Sequence, residues 1–402
     1  MRQTCQILFL ILWVALPLAA RQREYVIGTG VSLIGGGDNN PRRLLGGMAE
    51  RSRELRVFYG AYPGIALTST GARSSVGLSY AFGFDRVETD PRRQGESHSA
   101  TVDLSRDLGP QWDLSLSDTF QISSDMTTFN AFRGIATDPE QPGFLFDPVA
   151  AGLSARTNRA ALALTRQTGP GTRLSFTGSH SLRKYGGENP FPRALSDQQN
   201  ASAGVVYTAP LGVRGSWTAG YTVGYSDFRD FENVASHSAS LGFSREIARD
   251  LTFGLSAGPS YVGSRGADGA SYLGYNAAAS LRHLRGENAF SLYASVRSGR
   301  PSGLGAVSDT RRAGLSFTRR ARPIDLFVDV AAFDARGRLG NSARTRAISA
   351  AATVGYPFTD TLSLQVGGRY QRYADTAIFG FTQERLFASL RYDDPELWRF
   401  FR

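Results

Sequence analysis

Arg159, Arg173, Arg183, Arg282, Arg297, Arg312, Arg369 and Arg391 each fall on the small, polar register of an alternating segment. Asp103, Asp113, Asp325 and Asp329 fall on the same kind of register. Rings of charged side chains set ion preference in pores, and an arginine excess favours anions or acidic polymers. The same residues can instead pair across neighbouring strands and stiffen a sheet, because opposite charges on facing strands are ordinary cross-strand partners. The sequence gives both readings equal weight.

Covalent or acid–base chemistry has less support. His98, His180, His237 and His283 sit on the apolar register near segment ends, in different hairpins. There they read as interfacial girdle residues beside Tyr and Trp. None stands with a nucleophile and an orienting acid, as a barrel hydrolase requires. No metal-ligand spacing appears. Asp138, Glu140 and Asp147 share a long loop where carboxylates can hold a cation, although such residues are ordinarily just solvated. We expect no catalytic residues, no cofactor and no metal, and thus no enzyme.

The segments that carry these residues repeat with a period of two. Ser216–Tyr225 reads SWTAGYTVGY: Trp217, Ala219, Tyr221, Val223 and Tyr225 alternate with Ser, Thr and Gly. A face without bulk cannot be the inside of a packed core, so this is a strand standing between lipid and a polar interior. The pattern recurs at Val76/Leu78/Tyr80/Phe82, Trp112/Leu114/Leu116/Phe120, Leu251/Phe253/Leu255 and Ile324/Leu326/Val328/Val330. It continues at Leu362/Leu364/Val366/Tyr370 and Leu386/Leu390/Tyr392. Short connections (107–110, 167–171, 209–213, 246–250, 284–287, 319–323, 357–360) alternate with mostly longer polar ones (123–152, 184–198, 226–235, 263–270, 298–306, 335–343). That alternation predicts an all-β, transmembrane, up-and-down antiparallel barrel, with short periplasmic turns and longer external loops. Counting the hairpin at Tyr25–Leu67 gives about eighteen strands; without it the count is about sixteen. The unbroken register Leu55, Val57, Tyr59, Ala61, Ile65, Leu67 favours eighteen, although Pro63 on that register weakens the strand.

Composition agrees. The 402 residues include 45 Gly and are 41% apolar, with a formal net charge of +10. The basic residues are nearly all Arg, and they are dispersed rather than gathered into a footprint, so nucleic acid is excluded as a partner. Arg2 and the apolar run Ile7–Leu18 form a signal peptide, too short to span a bilayer, with cleavage near Ala20. The single cysteine, Cys5, leaves with it, so the exported chain holds no disulfide.

Pro63-Gly64-Ile65-Ala66-Leu67, the turn at Gly71–Arg73 and the strand containing Ser79-Tyr80 resemble outer-membrane barrels found with exopolysaccharide export systems. The resemblance covers the first 130 residues or so. It implies that Tyr25–Leu67 belongs to the barrel and that a polysaccharide is a candidate solute. Many such barrels end on an aromatic residue that the barrel-assembly machinery reads. This chain ends instead in DDPELWRFFR, which moves the expected signal to Leu386, Leu390 and Tyr392.

The expected organisation is a signal peptide at 1–20, an outer-membrane barrel at 21–392 (its N-terminal hairpin 21–72) and a periplasmic tail at 393–402. The expected function is a channel or conduit for exopolysaccharide or small anionic solutes. The competing expectation is a structural or adhesive surface barrel plugged by Ser123–Gly152. Its partners would be outer-membrane lipid, the assembly machinery and the solute; the oligomeric state is left open.

Overall fold

The computed structural model describes residues 23–39, 55–88, 94–123, 155–185, 197–229, 232–264, 271–302, 306–339, 344–375 and 381–401. The expected signal peptide, most of the 123–152 segment, and Asp138, Glu140 and Asp147 lie outside them. The described residues form eighteen strands in one sheet. In chain order these are β1 (Glu24–Asp38), β2 (Arg56–Gly71), β3 (Ser74–Val87), β4 (Gln94–Gly109), β5 (Trp112–Ser123), β6 (Ala155–Gly169), β7 (Thr172–Tyr185), β8 (Gln198–Pro210) and β9 (Gly215–Phe228). The second half is β10 (Val234–Ala248), β11 (Leu251–Ser264), β12 (Ser271–Arg285), β13 (Asn288–Ser302), β14 (Ala306–Ala321), β15 (Ile324–Leu339), β16 (Arg344–Pro357), β17 (Leu362–Asp375) and β18 (Phe381–Phe401).

Every pairing is antiparallel and joins consecutive strands, except that β1 pairs with β18 as well as with β2. The sheet is therefore a closed barrel with no free edge, the count of eighteen that the N-terminal hairpin favoured. Side chains alternate across it. Leu33, Ile65, Tyr80, Leu162, Phe176, Tyr221, Leu255, Leu292, Val354 and Leu386 are large, apolar and exposed on the outward register. A soluble protein would bury such residues; in lipid they are the solvated surface.

Three departures from the sequence pattern have physical causes. First, β18 does not stop at Tyr392. It continues to Phe401, so 393–401 is wall rather than the expected periplasmic tail. The extension gives the first residues of β1 a partner edge: Glu24 faces Phe401, the Tyr25 and Phe400 rings stack at 5.1 Å, and Arg399 pairs with Glu24 at 2.8 Å. Pro395 falls in the bulge opposite Gly28, where a missing donor costs little. Second, Pro63 sits within β2. The β2–β3 ladder omits Tyr62 and Pro63 but keeps its register on either side, so the strand survives the lost bond. Third, β13 and β15 run on through Ser302 and Leu339. At the rim both faces meet water, so the alternation that marks a strand disappears while the ladder continues.

The inward face is not small and polar everywhere. Ile34, Phe58, Tyr62 and Ala81 are buried against one another, with Phe387 packed on them, inside the β18–β1–β2–β3 wall. Phe228, Val234 and Val262 form a second inward cluster at the outer end of β9–β11.

Candidate functional site

The registers assign each charged residue a face and a height. On β4 to β7, Asp103, Asp113, Arg159, Arg173 and Arg183 are on the inward register, facing Ser117, Thr165, Ser181, Thr208 and Gln198. Asp113 and Arg173 lie beside the short turns, Asp103 midway, and Arg159 and Arg183 toward the opposite mouth. On β12 to β18, Arg282, Arg297, Arg312, Asp325, Asp329, Arg369 and Arg391 also take the inward register.

Pairing aligns some of these. Starting at Arg282, the hydrogen-bonding direction passes through Ser291, Ser316, Asp329, Ala351 and Arg369, then Arg385, Asp38 and Arg56. Because the strands tilt, this diagonal climbs from the short-turn end of β12 to the far end of β2. A second diagonal links Arg173 to Arg312 through Thr208, Thr218, Gly242, Ser256, Ala278 and Ser295. Arg159, Arg183, Asp103 and Asp113 lie on neither. Arg320 and Asp325 face each other near the short turns.

Contacts fix several of these side chains to the wall. Gln383 Nε2 donates to Asp38 Oδ2 at 2.6 Å, and the Arg385 guanidinium lies 3.7 Å over the Phe58 ring. Arg312 lies 5.2 Å over Phe333, and Arg391 Nη2 donates to Asp393 Oδ2 at 2.6 Å. Arg56, Arg385 and Asp38 are functional candidates that sequence reasoning passed over. Parity would have found Arg56 and Arg385, since each precedes an outward apolar residue, Val57 or Leu386. Asp38 follows three glycines that hide the alternation.

Two inward tyrosine rings press against a glycine of the neighbouring strand. The Tyr293 hydroxyl lies 2.4 Å from where a Cβ on Gly314 would stand, and the Tyr62 ring 2.6 Å from the corresponding point at Gly83. Only glycine leaves room for a ring pressed against the neighbouring strand.

The middle of the β4–β8 wall differs from the basic diagonals. A hollow of about 480 Å³ is lined by Ser105, Ser117, Ser179, Ser202 and Thr177 around Asp103. Ser179 and Ser202 share a hydrogen bond of 2.7 Å, and Ser75 and Ser105 one of 2.8 Å. The lining of this hollow offers donors and acceptors without charge, apart from its one carboxylate.

The histidines are on the outside. His98 shares a hydrogen bond with the Tyr80 hydroxyl at 2.8 Å and His237 with Tyr221 at 2.7 Å, while His180 contacts Gln199 at 2.8 Å. His283 faces Leu251 and Phe290. Among the described residues, no group of three or more His, Cys, Asp or Glu could hold a metal ion. Asp118 of β5 is an outward carboxylate that the alternation did not single out; it accepts from Asn158 Nδ2 at 2.7 Å.

A closed eighteen-strand barrel with an apolar outer band is the outer-membrane architecture, since all its backbone groups pair internally and it has no edge to expose to lipid. No protein-family model and no curated protein matches the sequence. Among solved structures, OpdL of Pseudomonas aeruginosa is 12% identical, with a TM-score of 0.47, covering 93% of this chain and 99% of that one. OccK2 of the same organism, in complex with glucuronate, is 13% identical with a TM-score of 0.48, covering 92% and 98%. The FrpB iron transporter from Neisseria meningitidis is 13% identical with a TM-score of 0.48, covering 91% and 66%.

Proposed function

We propose that this barrel is a passive outer-membrane channel whose basic lumen favours small anionic solutes. The observation that carries the reading is the inward diagonal from Arg282 through Asp329, Arg369, Arg385 and Asp38 to Arg56. Arginine outnumbers aspartate along it, and its rise from one mouth to the other gives an anion successive partners. Arg385 and Arg56 face the Asp38 carboxylate, and conduction needs such sites to be weak and multiple. Transfer needs no covalent step. An acidic exopolysaccharide is the larger solute the same lining would accept, entering by its carboxylates.

The test is conductance of the refolded mature chain in a planar bilayer under a salt gradient. Open channels with an anion-shifted reversal potential are expected. Replacing Arg173 and Arg312 together by Ser should reduce the anion-to-cation ratio. A unit charge acting through water from ~20 Å contributes about 0.2 kcal/mol, so removing two gives roughly a two- to fourfold change. An unchanged reversal potential would remove those two from the selectivity path. A folded, heat-modifiable but silent barrel would overturn the channel reading in favour of a plugged surface barrel.

A further inference from the structure

The lipid-facing surface is not uniform. Across β12 to β15 one row of the outward face is alanine: Ala279, Ala294, Ala313 and Ala332 face one another strand by strand. The row ends at Leu255 on β11 and at Ile348 on β16, both large and exposed. Below it, toward the short turns, the outward residues are bulky again: Leu281, Leu292, Leu315 and Val330. Small side chains framed by large ones make a recess, and the surface here holds a groove of about 630 Å³. With strands ~4.8 Å apart, its four-alanine floor is roughly 14 Å wide, enough for acyl chains lying side by side.

The next row toward the long-loop side changes character. Val296, Arg311, Asp334 and Arg346 follow one another, with Arg344 beside them. Arg344 holds Asp334 through two bonds, Nε to Oδ1 at 2.9 Å and Nη2 to Oδ2 at 2.7 Å. Arg346 Nε stands 3.8 Å from Oδ1. Arg344 and Arg346 thus share one carboxylate, Arg311 stands opposite it in the ladder, and these four residues carry a net charge of about +2. These residues lie near the ends of β14, β15 and β16 that lead to the external loops. A cationic rim facing lipid, directly above an apolar recess, is complementary to one kind of molecule: an anionic head on an acyl body.

We propose that this groove seats one phosphate-bearing, acylated lipid of the outer leaflet. Its acyl chains would fill the alanine recess, and a phosphate would bridge Arg311, Arg344 and Arg346. Arginine forks match phosphate oxygens two at a time, so the site discriminates by head group as well as by chain. The occupant is independent of whatever passes through the lumen.

Native mass spectrometry of the full refolded barrel in detergent tests this, with diphosphoryl lipid A as probe and its dephosphorylated form as comparison. Two variants are needed: R311S/R344S/R346S, which removes the charge, and A294L/A313L, which fills the recess on a face that already tolerates leucine. Heat-modifiable migration on gels shows that each has folded. One retained lipid A per wild-type barrel is expected, with apparent Kd weakened at least tenfold in both variants and for the dephosphorylated lipid. Equal retention by wild type and either folded variant overturns the proposal. So does equal retention of the dephosphorylated form, which would mean unspecific adsorption. If inorganic phosphate alone displaces the lipid at equal concentration, the recess plays no part and the proposal fails. If wild type sediments as a dimer that A294L/A313L dissociates, with no lipid bound, the groove is a contact between copies and the proposal also fails.

Discussion

Two walls of the same barrel are built by different means. The wall of β18, β1, β2 and β3 is thick: Phe58, Tyr62, Ile34 and Phe387 pack inward, and Arg385 lies on Phe58. The wall of β8 to β11 is thin over most of its height. Its inward register is Ser, Thr and Gly, as in Thr218, Gly220, Thr222 and Gly224 facing Gly242, Ser240, Ser238 and Ser236. The first wall is held by side-chain burial as well as its ladder, like a soluble core; the second depends on its ladder and on close strand approach. A substitution that is costly on one should therefore be mild on the other.

The sharpest break falls on the thin wall. A Cβ on Gly258 would stand 1.9 Å from the Ala239 carbonyl oxygen, and the β10–β11 ladder skips the residues facing each other there. Replacing Gly258 by Val should force the strands apart. The expected outcome is loss of the heat-modifiable form on gels, the largest effect of the set. On the thick wall, Phe58→Ala removes a side chain only 3% exposed. Cavity formation there should cost about 3–5 kcal/mol in urea titrations of the barrel in vesicles. At the small end, Ser117→Ala combined with Ser179→Ala on the hydroxyl-lined side should shift stability by less than about 0.5 kcal/mol. A loss above 1 kcal/mol would show that the hydroxyl network, and not the backbone alone, holds that side.

The comparison also explains what the sequence could reveal. Where one face is lipid and the other lumen, as in Ser216–Tyr225, alternation is written into residue type, and strand, face and parity could all be read. Parity alone put the inward arginines on one register. The thick wall was illegible because β2 is apolar on both registers: Val57 and Tyr59 face lipid while Phe58 and Tyr62 face inward. Alternation there marked the strand and its outward register but not the inward packing, because which inward residues meet depends on pairing between opposite ends of the chain. The rim was illegible for the reverse reason: Asp334, Arg344 and Arg346 are polar on the outward register, where the apolar band ends, so neither face is marked by apolar residues. The diagonal through Arg385 and Asp38 needed the register of β1 on β18, which no local pattern encodes.

That register has a consequence in time. Gln383 and Asp38 are bonded across 345 residues of chain. Every other seam of the barrel joins consecutive strands and can form as a hairpin. Loop-closure entropy makes the last seam about 3 kcal/mol harder to initiate than a ten-residue hairpin. The sheet should therefore assemble as an open ribbon with two unsatisfied edges, and β1 meets β18 last. The thick wall belongs to that final event, so its packing both completes the barrel and locks it shut.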